Sequence, residues 1–158
     1  MPSNTTSLSA DAERMIHSRG LGSLADRMGI EFLELSADHS VATMPAEGNT
    51  QPFGLIHGGA YVVLAETLGS FAANFYAIGL GKMAVGIEIN ASHSRSVTSG
   101  RVTGVCDAIH LGGSLATHEI VITDEDGRRV STVRITNFLK TLPAEAGEPA
   151  TSWGSAVR

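Results

Sequence analysis

Gln51-Pro-Phe-Gly-Leu-Ile-His57-Gly58-Gly59-Ala-Tyr-Val-Val-Leu-Ala-Glu66 decides how this chain is read, because it opens a long apolar run whose interior holds one charged residue, Glu66. Past Gly59 the chain continues AYVVLAETLGSFAANFYAIGL, without Lys, Arg or Asp, and Leu64, Leu68, Phe71, Phe75 and Ile78 recur at helical spacing. A buried helix is expected. At 3.6 residues per turn Glu66, Ser70 and Asn74 follow one another at i, i+4 and i+8, forming a single polar stripe on it. A carboxylate in apolar surroundings points to chemistry.

Working outward, the upstream half supplies polar residues 1–8 and then Ser9 or Asp11 as caps for a short helix reaching about Ser18 and stopping at Gly20. A second helical turn is expected at Ser23–Arg27. Ile30–Leu35 and Val41–Met44 flank Asp38-His39 as a two-stranded hairpin ended by Pro45. Downstream of Gly81 the period changes to two. Met83–Arg95 reads as a strand with apolar odd positions that turns polar at His93 and Arg95, running from core to rim. Arg101–His110, Ser114–Thr123 and Arg128–Leu139 follow as strands, and Asp124-Glu-Asp126-Gly127 is a strong hairpin signal. From Pro143 onward the chain is rich in Pro, Ala, Glu and Gly, with little to bury. The expected organisation is an N-terminal segment over 1–21, one domain over 22–140 and a flexible tail over 141–158.

The order of two strands, one long helix and four strands implies an α+β fold in which a curved antiparallel sheet wraps around one long buried helix. Six strands would leave part of that helix bare, so a partner subunit is the natural cover.

Composition narrows the function. With 158 residues and 42% hydrophobic content the chain suits one domain with a real core. A formal net charge of −5 argues against a nucleic-acid partner, because phosphate binding needs a basic face. One cysteine, Cys106, allows no internal disulfide or thiolate cluster, and the histidines show no metal-ligand spacing, so no metal and no cofactor are expected. The start MPSNTTSLSADAERM has neither the basic nor the apolar region of a secretory signal, and a cytoplasmic location is expected. The 59–80 run is nearly long enough to cross a bilayer, yet Glu66, Thr67, Ser70 and Asn74 at its centre favour a core helix over a membrane span.

Three segments, QPFGLIHGGAYVVLAET at 51–67, VGIEINASHSRS at 85–96 and GVCDAIHLGGS at 104–114, together resemble the hotdog-fold acyl-CoA thioesterases. The resemblance covers residues 22–140 and is to the branch with 4-hydroxybenzoyl-CoA, phenylacetyl-CoA-type and 1,4-dihydroxy-2-naphthoyl-CoA thioesterases. Within it, the chain is most similar to bacterial proofreading and menaquinone-pathway aryl-CoA thioesterases. It implies hydrolysis of aryl- or medium-chain acyl-CoA, a homodimer at least and a dimer of dimers. It also implies that Glu66 is nucleophile or general base and that the Gly58 backbone N–H polarises the thioester carbonyl. Gln51 and His57 would orient the thioester, and Ser70 would position the attacking group. His93, Arg95, Ser96 and the turn His110, Gly112, Gly113, Ser114 stand as the coenzyme A grip, since Arg suits phosphate and glycines let backbone N–H groups approach an anion.

Blander readings stand beside these. Glu66 as a structural carboxylate, His57 as a helix cap, Gln51 as an ordinary loop residue, Ser70 and Asn74 bonding back to the preceding turn, and Gly112-Gly113 as a plain turn are each physically reasonable. A non-catalytic acyl-CoA-binding module and an enoyl-CoA hydratase or dehydratase of the same fold are the alternative functions.

One step needs only helix geometry. Gly58 and Glu66 are eight residues apart, about 12 Å at 1.5 Å per residue, whereas attacking and polarising groups must both come within roughly 3–3.5 Å of one reacting centre. One helix cannot supply both, so the site is expected between two subunits.

Overall fold

The computed structural model describes residues 8–142; of the disorder expected for residues 1–8 and the flexible tail expected over 141–158, residues 1–7 and 143–158 lie outside the described residues. Three helices, α1 (Ala10–Arg19), α2 (Ser23–Arg27) and α3 (Gly58–Ile78), accompany six strands: β1 (Glu31–Leu35), β2 (His39–Pro45), β3 (Lys82–His93), β4 (Arg101–Leu111), β5 (Leu115–Thr123) and β6 (Arg129–Thr141). Ser9 caps α1 by accepting from the Ala12 N–H, and His57 caps α3 by accepting from the Gly59 N–H. At the β5–β6 hairpin the Asp124 side chain takes the N–H groups of Asp126 and Arg128, and Gly127 supplies the left-handed turn position at φ 74°.

All strand pairs are antiparallel, in the order β1-β2-β4-β5-β6-β3. The sheet is open, with β1 and β3 as its two edges, and α3 lies across one face of it. This corrects the expectation of a curved sheet wrapped around a buried helix. A helix with its side chains is about 10–12 Å across, a circumference of roughly 31–38 Å, whereas six strands about 4.8 Å apart span only about 24 Å. The sheet therefore covers one side of α3. Leu64, Ala65, Leu68, Gly69 and Ala72 are buried on that side, while Val62, Glu66, Ser70, Phe71 and Asn74 are only half-buried on the other.

Contact between helix and sheet is close because of glycine. A Cβ on Gly69 would drive into the Ile135 side chain, and one on Gly104 would lie 2.7 Å from Leu68 Cδ1. The apolar residues facing α3 include Val102, Ile120, Ile122, Val133 and Ile135. A smaller cluster of Ala73, Ala77, Ala84, Ala116 and Leu139 lies toward the helix C-terminus.

β3 departs from the even alternation read in its sequence. A bulge between Gly86 and Glu88 shifts the register against β6, so Ala84 and Gly86 face the helix before it and Ile89 after it. Val85 and Ile87 are left 44% and 59% exposed on this edge strand. Odd positions thus face the core only beyond the bulge.

Candidate active site

The polar stripe of α3 runs alongside β3. Asn74 is spent on structure: its side chain accepts from the Ala84 N–H at 2.7 Å and donates to the Ala84 carbonyl at 3.2 Å, tying the helix to the open sheet edge. It also donates to the Ser70 carbonyl one turn earlier. Glu66, two turns back, reaches the same strand at Gly86, where Oε1 lies 2.7 Å from the position a Cβ would take. Burial pushes the Glu66 carboxyl above its ordinary range, and the Ser70 side chain pulls it back down. The carboxylate is therefore moderately desolvated and carries one neighbour that favours its charged form.

The other end of the site is the helix N-terminus. His57 Nδ1 accepts from the Gly59 N–H at 2.8 Å, which leaves Nε2 as the protonated nitrogen of an exposed ring. The cap reading of His57 is thus realised, and it sets the tautomer as well. Gly58 begins α3, so its N–H has no partner within the helix. The ring of His93, from the end of β3, packs so closely there that a Cβ on Gly58 would lie 2.9 Å from it. His93 Nδ1 is 2.9 Å from Ser131 Oγ, and its ring centroid is 5.3 Å from that of Tyr61. Gln51 sits half-buried in the preceding loop, where its side-chain oxygen accepts from the Phe53 N–H.

The residues read as a coenzyme A grip fall into two groups. Arg95 and Ser96 are exposed just after β3, near His93. His110 lies in β4, and Gly112, Gly113 and Ser114 form the β4–β5 turn, where Gly112 N–H donates to the Leu115 carbonyl, Ser114 carbonyl accepts from the Leu139 N–H, and Lys82 Nζ reaches the Gly113 carbonyl. Across the sheet Ser114 is level with Ala84 and His110 with Glu88, whereas His93 ends β3, so the turn and the His93 group stand apart along the strands. One chain does not bring them together. His93 belongs with the Gly58 end of the site.

A cavity of about 280 Å³ opens beside the stripe, between α1 and α3, lined by Met15, Leu21, Ser70, Phe71 and Asn74 among others. Two residues escaped the sequence reading. Gly86 lay inside an apparently regular strand. Asn137 on β6 is fully buried and paired with Gly86, and its signal was a lone polar residue in the inward row Val133, Ile135, Asn137, Leu139. Among the described residues no group of acidic, His or Cys side chains could hold a metal ion.

Comparison with known proteins agrees with this geometry. A profile of the Thioesterase superfamily matches residues 53–131, from the loop before α3 into β6. The proofreading thioesterase EntH of Cronobacter turicensis is 48% identical over 121 residues, covering 76% of this chain and 88% of that protein. The 1,4-dihydroxy-2-naphthoyl-CoA hydrolase of Escherichia coli is 45% identical over 125 residues, covering 78% and 91%. The crystal structure of thioesterase HI1161 from Haemophilus influenzae superposes with a TM-score of 0.75 at 33% identity, covering 91% of this chain and 98% of that one. An antiparallel sheet carrying one long helix, a carboxylate on that helix and these relatives lead to one conclusion: the chain belongs to the Thioesterase superfamily and is a hotdog-fold thioester hydrolase close to the bacterial EntH and 1,4-dihydroxy-2-naphthoyl-CoA thioesterases.

Proposed function

We propose that the protein hydrolyses acyl-CoA thioesters, with an aryl or medium-length acyl group, to the free acid and coenzyme A. Glu66 of one subunit and the Gly58 N–H of another act on the same thioester. The observation that carries this reading is the placement of Glu66: a half-buried carboxylate beside Ser70, opening onto the sheet edge through a glycine. The similarity to a 1,4-dihydroxy-2-naphthoyl-CoA hydrolase favours the aryl class.

The helix geometry supports a site shared between subunits. β3 is a free edge, and Asn74 occupies the Ala84 backbone groups, so Gly86–His93 is the stretch left for pairing with another strand. An antiparallel second β3 centred near Ile89 and Asn90 sets Gly86 of one subunit opposite His93 of the other. Because Glu66 touches Gly86 and Gly58 touches His93, that register brings Glu66 to the opposite Gly58. The same register offers Arg95 and the opposite subunit's surfaces to the coenzyme A phosphates. A dimer is the minimum unit. The outward apolar residues Val85, Leu115 and Phe138, paired across β3, β6 and β5, supply a second face for a dimer of dimers.

In the reaction the Gly58 N–H, at the positive end of the helix, donates to the thioester carbonyl as it gains negative charge. His57 Nε2–H and Gln51 orient the same group. Glu66 either takes a proton from water, whose oxygen adds to the carbonyl carbon, or adds to that carbon itself to form an anhydride that water then opens. In both routes the C–S bond breaks and the thiolate of coenzyme A leaves and takes up a proton. The acyl group enters the cavity walled by Met15, Leu21 and Phe71. We place the protein in the cytoplasm, where coenzyme A esters occur.

The test is release of free thiol from benzoyl-CoA, a hydroxybenzoyl-CoA, a naphthoyl-CoA and hexanoyl-CoA by the protein and its Glu66→Gln variant. Turnover that is lost in the variant is the expected result. A variant as fast as the wild type removes Glu66 from the chemistry, and no release from any ester by folded dimer removes acyl-CoA hydrolysis.

A further inference from the structure

Asn137 is fully buried, and neither polar atom of its carboxamide has a hydrogen-bond partner among the described residues. Leaving such a group unpaired costs about 1–3 kcal/mol, so its presence calls for a reason. Its place in β6 is between two stretches of ordinary core: Ile135 belongs to the main cluster and Leu139 to the smaller one. An apolar residue would continue the row without penalty.

The cross-strand neighbours of Asn137 are Gly86 on β3 and Ala116 on β5, the two smallest side chains available. Smallness at Gly86 leaves a gap. Through it, Glu66 Oε1 and Asn137 Oδ1 lie 2.7 Å and 3.7 Å from one point, the place where a Cβ on residue 86 would sit. The two ends of a carboxamide are interchangeable by a half-turn of the side chain, so an N–H₂ donor can face that point as readily as the oxygen. A carboxylate and an unpartnered donor thus flank the same small space.

We propose that Asn137 is a positioning residue for hydrolysis: its carboxamide, reaching through the gap at Gly86, donates to the Glu66 carboxylate or to the water held against it. The inference rests on the reading of Glu66 as the reacting carboxylate. A donor there favours the charged form that catalysis needs, opposing the burial that favours the neutral one. Among the described residues of one chain no charged side chain takes this role; the titratable groups that the proposed register brings to Glu66 are the opposite subunit's His57 and His93. Ser70 is the neighbour on α3 that favours ionisation. The cavity residues of the α1–α2 side next to Ser70, Met15, Ser18, Gly20, Leu21 and Gly22, are uncharged. On β5 the residues level with Asn137 are Ala116 and Thr117. On β3 the acidic side chain nearest Gly86, Glu88, is exposed and held by Asn90.

The experiment compares Asn137→Leu and Asn137→Ser with the wild type and Glu66→Gln, following thiol release from benzoyl-CoA against pH together with melting temperature. With Asn137→Leu the acid limb of kcat is expected to move up by about one pH unit, with KM changed less than about threefold and no loss in melting temperature. A structural asparagine behaves oppositely, since its loss lowers the melting temperature and leaves the pH limb in place. An acid limb unmoved in both variants overturns the inference while Glu66→Gln, inactive, still upholds the role of Glu66. An active Glu66→Gln overturns both together. Should Asn137→Leu fail to fold, Asn137→Ser, which shortens the side chain without adding bulk, supplies the same readout.

Discussion

Glu66 Oε1 lies 2.7 Å from the point that a Cβ on Gly86 would occupy, so the carboxylate passes into the edge of the sheet at a position only glycine leaves open. Strand and helix are matched here residue by residue: Asn74 meets Ala84, Glu66 meets Gly86 and Gly58 meets His93.

Gly86→Ala tests that match. The three atoms nearest the added methyl group all belong to side chains, and the one in close conflict is the flexible end of Glu66, so Glu66 swings aside at little cost to the fold. A shift of about 1 Å at a reacting group lowers turnover by up to about a hundredfold. The expected outcome in steady-state kinetics is a large fall in kcat with a melting temperature within about 2 °C of wild type.

Glu66 also leaves a mark on stability. Its carboxyl is raised in the folded protein, so the native state holds its proton to higher pH than the unfolded chain does, and stability falls as pH rises from the ordinary carboxylate range through the raised value. Glu66→Gln removes that loss. Its melting temperature is expected to exceed that of wild type at pH 8, and the gain should shrink toward zero as pH is lowered below the ordinary glutamate range. Calorimetry at the two pH values checks it, and an equal gain at both would deny the titration any part in it.

Asn74→Ala removes both side-chain bonds to Ala84 and frees the start of the edge strand. The unpaired backbone groups cost about 1–3 kcal/mol, a drop in melting temperature on the order of 3–10 °C for a chain of this size. Hydrogen exchange should accelerate first at the Ala84 amide, before the amides of β5 and β6.

Subunit mixing addresses the shared site. Gly58→Val and Glu66→Gln proteins are each expected to be inactive, whereas co-refolding the two restores about a quarter of the wild-type activity, because half of the dimers are mixed and each has one intact site. No recovery, with mixed dimers confirmed by mass spectrometry, would place both groups of a site in one chain.

Much of the site is local and could be read from the chain. Glu66, Ser70 and Asn74 share a face because helical periodicity puts them there, and His57-Gly58-Gly59 announces a helix start because His and Gly suit a cap and an unpartnered first turn. The hairpin at Asp124–Gly127 is likewise local chemistry, two N–H groups bound by one carboxylate and a glycine at positive φ. Asn74 was harder. Its polar stripe was plain, but its partner Ala84 lies ten residues away, across a turn.

The misreadings lie where distant strands meet. Regular alternation in Met83–Arg95 hid the bulge after Gly86, because a bulge is defined by the partner strand and not by the bulged one. The expected wrapping fails in part for a similar reason: six strands are too few to surround α3, as their number already implies, but that the sheet stays open along one side of the helix depends on how the strands pair.

From sequence alone came the elements, their order and the chemistry of the helix: an apolar α3 with one carboxylate, set by composition and period within a single segment. Tertiary structure alone decided that Asn137 of β6 and Gly86 of β3 stand beside that carboxylate, because strand register, summed over two hairpins and a long crossover, is set by packing against α3. It likewise decided which face of the helix lies open in the single chain and that β3 is the free edge beside it, because strand order is a property of the assembled sheet.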